Sequence, residues 1–175
     1  YRAPECLLTD GYYGYKMDLW GVGCVLFEVL SLFPLFPGND ELDQVHRIHN
    51  IMGSPSKELL DKFQKYATHM EFNFPHVEHG TGIAKLIPNA SPEATDLILK
   101  LLVYNPDNRI TASQALKHPW FHELREQEKQ LKQYGVEPGA ISFRLDDTAA
   151  IQQKLLDDIP ELLWIGVQKK GTAYL

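Results

Sequence analysis

Between Leu19 and Leu32 the chain carries one charged side chain, Glu28, and the other positions, Ser31 apart, are apolar or glycine. A surface helix shows a single apolar stripe. This stretch is apolar almost all round, which predicts a helix buried on every side. Gly21 and Gly23 let other backbone approach closely, at about 1 kcal/mol each in helix propensity relative to Ala. Asp18 stands at the start of the segment, where a carboxylate can cap free N–H groups and meet the positive end of the helix dipole. The alternative is a membrane span, which wants about 20 apolar residues with few charges. Glu28 interrupts the run, and Pro34 and Pro37 follow it closely. The spacing therefore favours a helix inside a folded domain.

The rest of the chain is patterned around further helices. Residues 1–15, with Pro4, Gly11, Gly14 and the tyrosines 12, 13 and 15, read as loop. Pro34-Leu35-Phe36-Pro37-Gly38 forces a turn. Asn39 or Asp40 then caps a helix with Leu42, Val45, Ile48 and Met52 on one face, ending at Gly53. Ser54-Pro55 opens a short helix bearing Leu59, Leu60 and Phe63. Residues 68–90 show no sustained period. Ser91-Pro92-Glu93 starts a helix with Ala94, Leu97, Ile98, Leu101 and Leu102 in register, broken at Tyr104-Asn105-Pro106-Asp107. Thr111 and Gln114 fit a capping box, and that helix ends before Pro119. Trp120, Phe121, Leu124 and Leu131 line a later helix, whose wet side offers the pairs Glu126–Lys129 and Glu128–Lys132. Residues 135–148 read as a linker, Thr148–Ile159 as an amphipathic helix, and Leu163–Val167 as the one candidate strand.

Composition narrows the function. A hydrophobic fraction of 44% suffices for a packed core in 175 residues, and 17 basic against 23 acidic side chains leave a net charge of −6. No basic block argues for nucleic acid, and no span argues for a membrane partner. Cys6 and Cys24 lack a metal-ligand spacing, and a reducing, intracellular setting is the simplest reading. His46 and His49, three apart on one helix, have no third ligand at motif spacing, so packing is favoured over metal. Tyr12, Tyr13 and Tyr15 read as loop-packing aromatics. A chain opening on Tyr1-Arg2-Ala3-Pro4, without a signal peptide, is expected to be a fragment lacking its N-terminal portion.

Four segments in fixed order carry an identity that none carries alone. They are Tyr1-Arg2-Ala3-Pro4-Glu5, Asp18-Leu19-Trp20-Gly21-Val22-Gly23-Cys24, Pro34-Leu35-Phe36-Pro37-Gly38, and Asn105-Pro106-Asp107-Asn108-Arg109-Ile110-Thr111 with Ala115-Leu116-Lys117-His118-Pro119-Trp120-Phe121. Ala-Pro-Glu closes the activation segment of a protein kinase. Over residues 1–122 the chain resembles the serine/threonine protein kinases of the cyclin-dependent/mitogen-activated group, near the male germ cell-associated kinases. The Arg before Ala-Pro-Glu and the long insert between Gly53 and Ser91 are typical of that group. Residues 123–175 match no motif.

The resemblance implies a mainly α fold, the C-terminal (helical) lobe of the protein-kinase-like fold with the N-lobe absent. It implies that Glu5 pairs with Arg109, whose fork suits a carboxylate. Arg2 and Glu5 would anchor the activation segment and support the floor on which substrate lies. In the family the residue at Asp18 bonds catalytic-loop backbone; with that loop outside this chain, capping the central helix is its expected role. ATP and magnesium belong to the full-length parent, with no catalytic, cofactor or metal residue in these 175. The expected partners are protein substrates and regulatory kinases, and the expected location is the cytoplasm, with the nucleus as an additional one.

Phosphoryl transfer needs nucleotide positioning, metal ligands and a base, and the family places all of these before Ala-Pro-Glu. Gly21-Val22-Gly23 lacks a third glycine, His46-Arg47 is followed by Ile48, and Gly82-Ile83-Ala84-Lys85 falls after Ala-Pro-Glu; each reads as structural. Two readings follow: part of a serine/threonine kinase that is inactive by itself, or a non-catalytic protein-binding scaffold or decoy derived from a kinase.

Overall fold

The computed structural model describes residues 1–68 and 71–133. The chain divides into two compact units, Tyr1–Glu123 and Leu124–Leu175. Every regular element among the described residues is helical: α1 (Pro4–Leu8), α2 (Lys16–Ser31), α3 (Glu41–Met52), α4 (Lys57–Gln64), α5 (Pro92–Leu101), α6 (Ala112–Leu116) and α7 (His122–Gln133). Two 3-10 turns, Ile83–Leu86 and Pro119–Phe121, punctuate them. None of these helices is long and apolar enough to cross a membrane.

Side chains near their starts set the boundaries of α3, α4, α5 and α6. The Asp40 carboxylate accepts from the Asp43 amide at the head of α3. Ser91 does the same for Ala94 at the head of α5, with Pro92 in the first turn. Thr111 and Gln114 form a reciprocal capping box on α6. Each satisfies backbone donors that the first turn leaves without an intrahelical partner. α4 is capped by Ser56, which accepts from Leu59, two residues beyond the expected Ser54.

Residues 1–15, expected as loop, contain α1, a five-residue helix opened by Pro4. So short a helix shows no hydrophobic period. Trp120 and Phe121 belong to a separate 3-10 turn, and α7 begins after them. The described part of the second unit, residues 124–133, is polar helix, with Lys129 Nζ 2.6 Å from Glu126 Oε1. The side chains of Leu131 and Lys132, the 135–148 linker, the 148–159 helix and the 163–167 strand lie outside the described residues.

The core of the first unit sits on the inner face of α2. Trp20, Cys24 and Phe27 are buried there, in one cluster with Leu7 and Leu8 of α1, Val45 and Ile48 of α3, and Ile98 of α5. Gly23 meets the end of α5, where an added Cβ would lie 2.8 Å from Leu102 Cγ. The irregular stretch after α4 is pinned to the end of α3 by backbone bonds: Ser54 N to Val77 O (2.8 Å), Thr81 N to Asn50 O (2.9 Å) and Gly82 N to Ile51 O (2.8 Å).

The expectation that α2 is buried on every side needs correction. Its outer face is open: Val22 and Val25 are 51% exposed and Val29 is 65% exposed. With Leu97, Leu101, Trp120 and Phe121 this face walls an apolar groove of about 690 Å³. Two α-helices in contact bury one stripe each, and here α5 and α1 cover only the inner stripe. An open apolar face of this kind attracts environment-sensitive dyes. We expect 1-anilinonaphthalene-8-sulfonate fluorescence several-fold above that of a closed globular protein, falling by at least half in a Val25→Lys/Val29→Lys variant. Equal fluorescence in the two proteins would contradict this.

His49 is the buried titratable group of α3. Its Nε2 lies 3.0 Å from the Tyr104 hydroxyl, and the edge of Phe74 approaches both His49 and His46. Nδ1 has no hydrogen-bond partner among the described residues. Burial, and secondarily His46, push the His49 pKa down to about 4. The folded form thus resists protonation that the unfolded chain accepts at about 6.5. The shift costs nothing above pH 6.5, where both states are neutral, and destabilises the fold increasingly as pH falls from 6.5 towards 4, by on the order of 3 kcal/mol. Urea midpoints should therefore fall between pH 6.5 and 4.5, and a His49→Phe variant should fall less. Parallel pH profiles for the two proteins would show that His49 is not the group responsible.

Candidate functional site

The charged centre of the first unit is built by two short local structures far apart in sequence. α1 presents Glu5 in its first turn, and the Thr9 hydroxyl donates back to the Glu5 carbonyl at 2.6 Å, closing the helix end. The other half is the turn after α5. Asn105 Oδ1 accepts from the Asp107 amide (3.0 Å), and the Asn105 and Pro106 carbonyls accept from the amides of Asn108 and Arg109. An Asn side chain that folds back on the backbone in this way makes a tight turn without helix or strand. The turn aims Arg109 inward.

There the two meet. Arg109 Nη1 donates to Glu5 Oε1 at 2.7 Å and Nη2 to Oε2 at 2.9 Å, with both side chains at 0% exposure. The other N–H groups of the guanidinium are also used. Nε donates to the Val103 carbonyl (3.0 Å), Nη1 to the Lys16 carbonyl (2.6 Å) and Nη2 to the Tyr104 carbonyl (3.4 Å). An arginine has five N–H donors, so this one has none to spare. The guanidinium carbon lies 5.3 Å from the centre of the Trp20 ring. Desolvating two charges is costly, and the pair persists because every donor is satisfied and the fork is bidentate. α1, the start of α2 and the end of α5 are thereby tied at one point.

Around this centre lie the other residues singled out from the sequence. Arg2 is ion-paired with Glu41 in the first turn of α3, on the surface, and the Tyr1 hydroxyl donates to Glu28 near the end of α2. Residues 1 and 2 are thus tied to both ends of the Leu32–Asp40 connection. Asp18 requires a correction. α2 begins at Lys16 with Tyr15 in the cap position and no side-chain cap bond, so Asp18 lies inside the first turn and does not cap it. It keeps the favourable interaction of a carboxylate with the helix dipole. Together with Tyr1, Arg2, Cys6, Tyr13 and Met17 it borders an open concavity of about 380 Å³. Burial raises the pKa of the Cys6 thiol, with Glu5 adding to the shift, so thiolate chemistry is disfavoured there.

Of the three tyrosines after α1, Tyr12 stacks on Tyr66 with ring centres 4.1 Å apart, and Lys62 lies over it at 5.5 Å. The same Lys62 pairs with Asp107 at 2.6 Å. Tyr13 and Tyr15 are exposed. Three partners had no side-chain signature to be found by: the carbonyls of Lys16, Val103 and Tyr104. Glu28 and Glu41 as partners of Tyr1 and Arg2 were equally invisible, because nothing local links residues 27 and 39 positions apart.

Against that geometry, a family model for the protein kinase domain matches residues 1–121. The chain belongs to the protein kinase family. It is 53% identical over 130 residues to the MAPK/MAK/MRK overlapping kinase of Homo sapiens, covering 74% of this chain and 30% of that relative. It is 45% identical over 125 residues to mitogen-activated protein kinase spk1 of Schizosaccharomyces pombe (69% and 32%), and 43% identical over 121 residues to serine/threonine-protein kinase MAK of Homo sapiens (69% and 19%). These relatives place it among the serine/threonine kinases of the cyclin-dependent/mitogen-activated group. A second model, for the stage IV sporulation protein YqfD, matches residues 122–175. That is under a third of the chain and assigns no family. The chain spans about a third or less of the length of the curated kinases it matches.

These matches correct the lobe assignment. Residues 1–122 were expected to be the C-terminal lobe with the N-lobe absent. The kinase domain match occupies the N-terminal part of this chain and is to the kinase domain, with no lobe distinguished, so that assignment does not stand. What stands is a portion of a kinase domain whose regular elements, among the described residues, are all helical.

Kinases of this family use ATP and magnesium. Among the described residues no such site is assembled. Among the described residues no three His, Cys, Asp or Glu side chains converge as metal ligands. Gly21 and Gly23 lie within α2 and form no phosphate-cradling loop.

Proposed function

We propose that this chain is a portion of an ATP-dependent serine/threonine protein kinase, carrying the end of the activation segment and its anchor but no catalytic loop. One observation supports this above the others: the Ala-Pro-Glu carboxylate of Glu5 is held bidentately by Arg109, whose remaining N–H groups all find backbone carbonyls. In this reading Glu5 fixes the end of the activation segment to the helical core, and Arg2, steadied by Glu41, supports the floor on which a protein substrate lies. Protein substrates and regulatory kinases are the partners of the parent protein. The alternative is a non-catalytic scaffold or decoy that offers the α3 surface and the following insert to other proteins.

The 175 residues contain no strand lysine, no catalytic Asp and Asn, and no Asp-Phe-Gly in the order the family requires. We expect the purified chain to incorporate no phosphate into a generic basic protein substrate with magnesium ATP, and to gain no thermal stability from ATP. Magnesium-dependent phosphorylation by the chain itself would overturn the expectation of inactivity. A longer transcript running through a catalytic loop and Asp-Phe-Gly into Tyr1 would favour the kinase reading, and a gene that starts near Tyr1 would favour the scaffold.

A further inference from the structure

We draw no further inference here: the strongest candidate, the apolar groove between the outer face of α2, the α5 helix and the Trp120–Phe121 turn, carries nothing because no feature of the structure shows what covers it.

Discussion

Arg109→Ala is expected to destabilise the first unit by about 3–5 kcal/mol, read as a lowered urea midpoint at unchanged slope. The size follows from what is left behind. Glu5 stays at 0% exposure with its carboxylate facing the void. The carbonyls of Lys16, Val103 and Tyr104 also lose their donor. Typical folded domains hold only about 5–15 kcal/mol in total, so this variant stands near the edge of folding. A second variant keeps the test informative if the first does not fold. Replacing both charges, as Glu5→Leu/Arg109→Met, removes the buried carboxylate with the cation, and the pair should recover a substantial part of the loss. If Arg109→Ala lowers the unfolding free energy by less than about 1 kcal/mol, the pair does not hold the segment. Lysine at 109 should restore little, since an ammonium can neither bridge both carboxylate oxygens nor reach three divergent carbonyls.

How much of this was legible in the sequence differs by kind of interaction. The caps at Asp40, Ser91 and Thr111 were readable because each is a side chain bonding backbone three residues away, a relation a linear sequence displays. The inner face of α5, with Leu97, Ile98 and Leu101, was readable for the same reason, since its spacing is set by helix geometry alone. Glu5 and Arg109 were paired only through a family resemblance. No local rule joins residues 104 positions apart, and the backbone carbonyls that complete the site belong to any residue type. The outer face of α2 misled for a different reason. Val22, Val25 and Val29 show that this face tolerates burial, but a sequence of hydrophobic residues does not say whether a partner is present to bury it. Asp18 misled by three positions: the cap position is Tyr15, within a Gly- and Tyr-rich stretch that carries no strong start signal.

The two glycines of α2 give the sharpest separation between sequence and packing. Both read as sites of close backbone approach, but the close approach is at Gly23 alone and is made by the side chains of Leu101 and Leu102. A Cβ at Gly21 meets nothing nearer than the Tyr1 carbonyl at 3.8 Å. At Gly23 it would lie 2.8 Å from both Leu102 Cγ and Cδ2 and 3.0 Å from Leu101 Cβ. Gly21→Ala should therefore stabilise the unit by about 0.5–1 kcal/mol, because helix propensity improves and nothing is displaced. Gly23→Ala gains the same propensity but forces apart α2 and α5, which meet through the buried Leu101 and Leu102. Overpacking costs about 1–3 kcal/mol, so Gly23→Ala should be net destabilising, and Gly23→Val more so, since its second branch has no space to enter. Leu102→Ala is the check on mechanism. Truncating that side chain is destabilising in the native background, but combined with Gly23→Ala the loss should be smaller than the sum of the two, because the new methyl enters the space the leucine vacates. Equal effects at 21 and 23, or strict additivity of Gly23→Ala with Leu102→Ala, would show that α2 and α5 do not pack through this point.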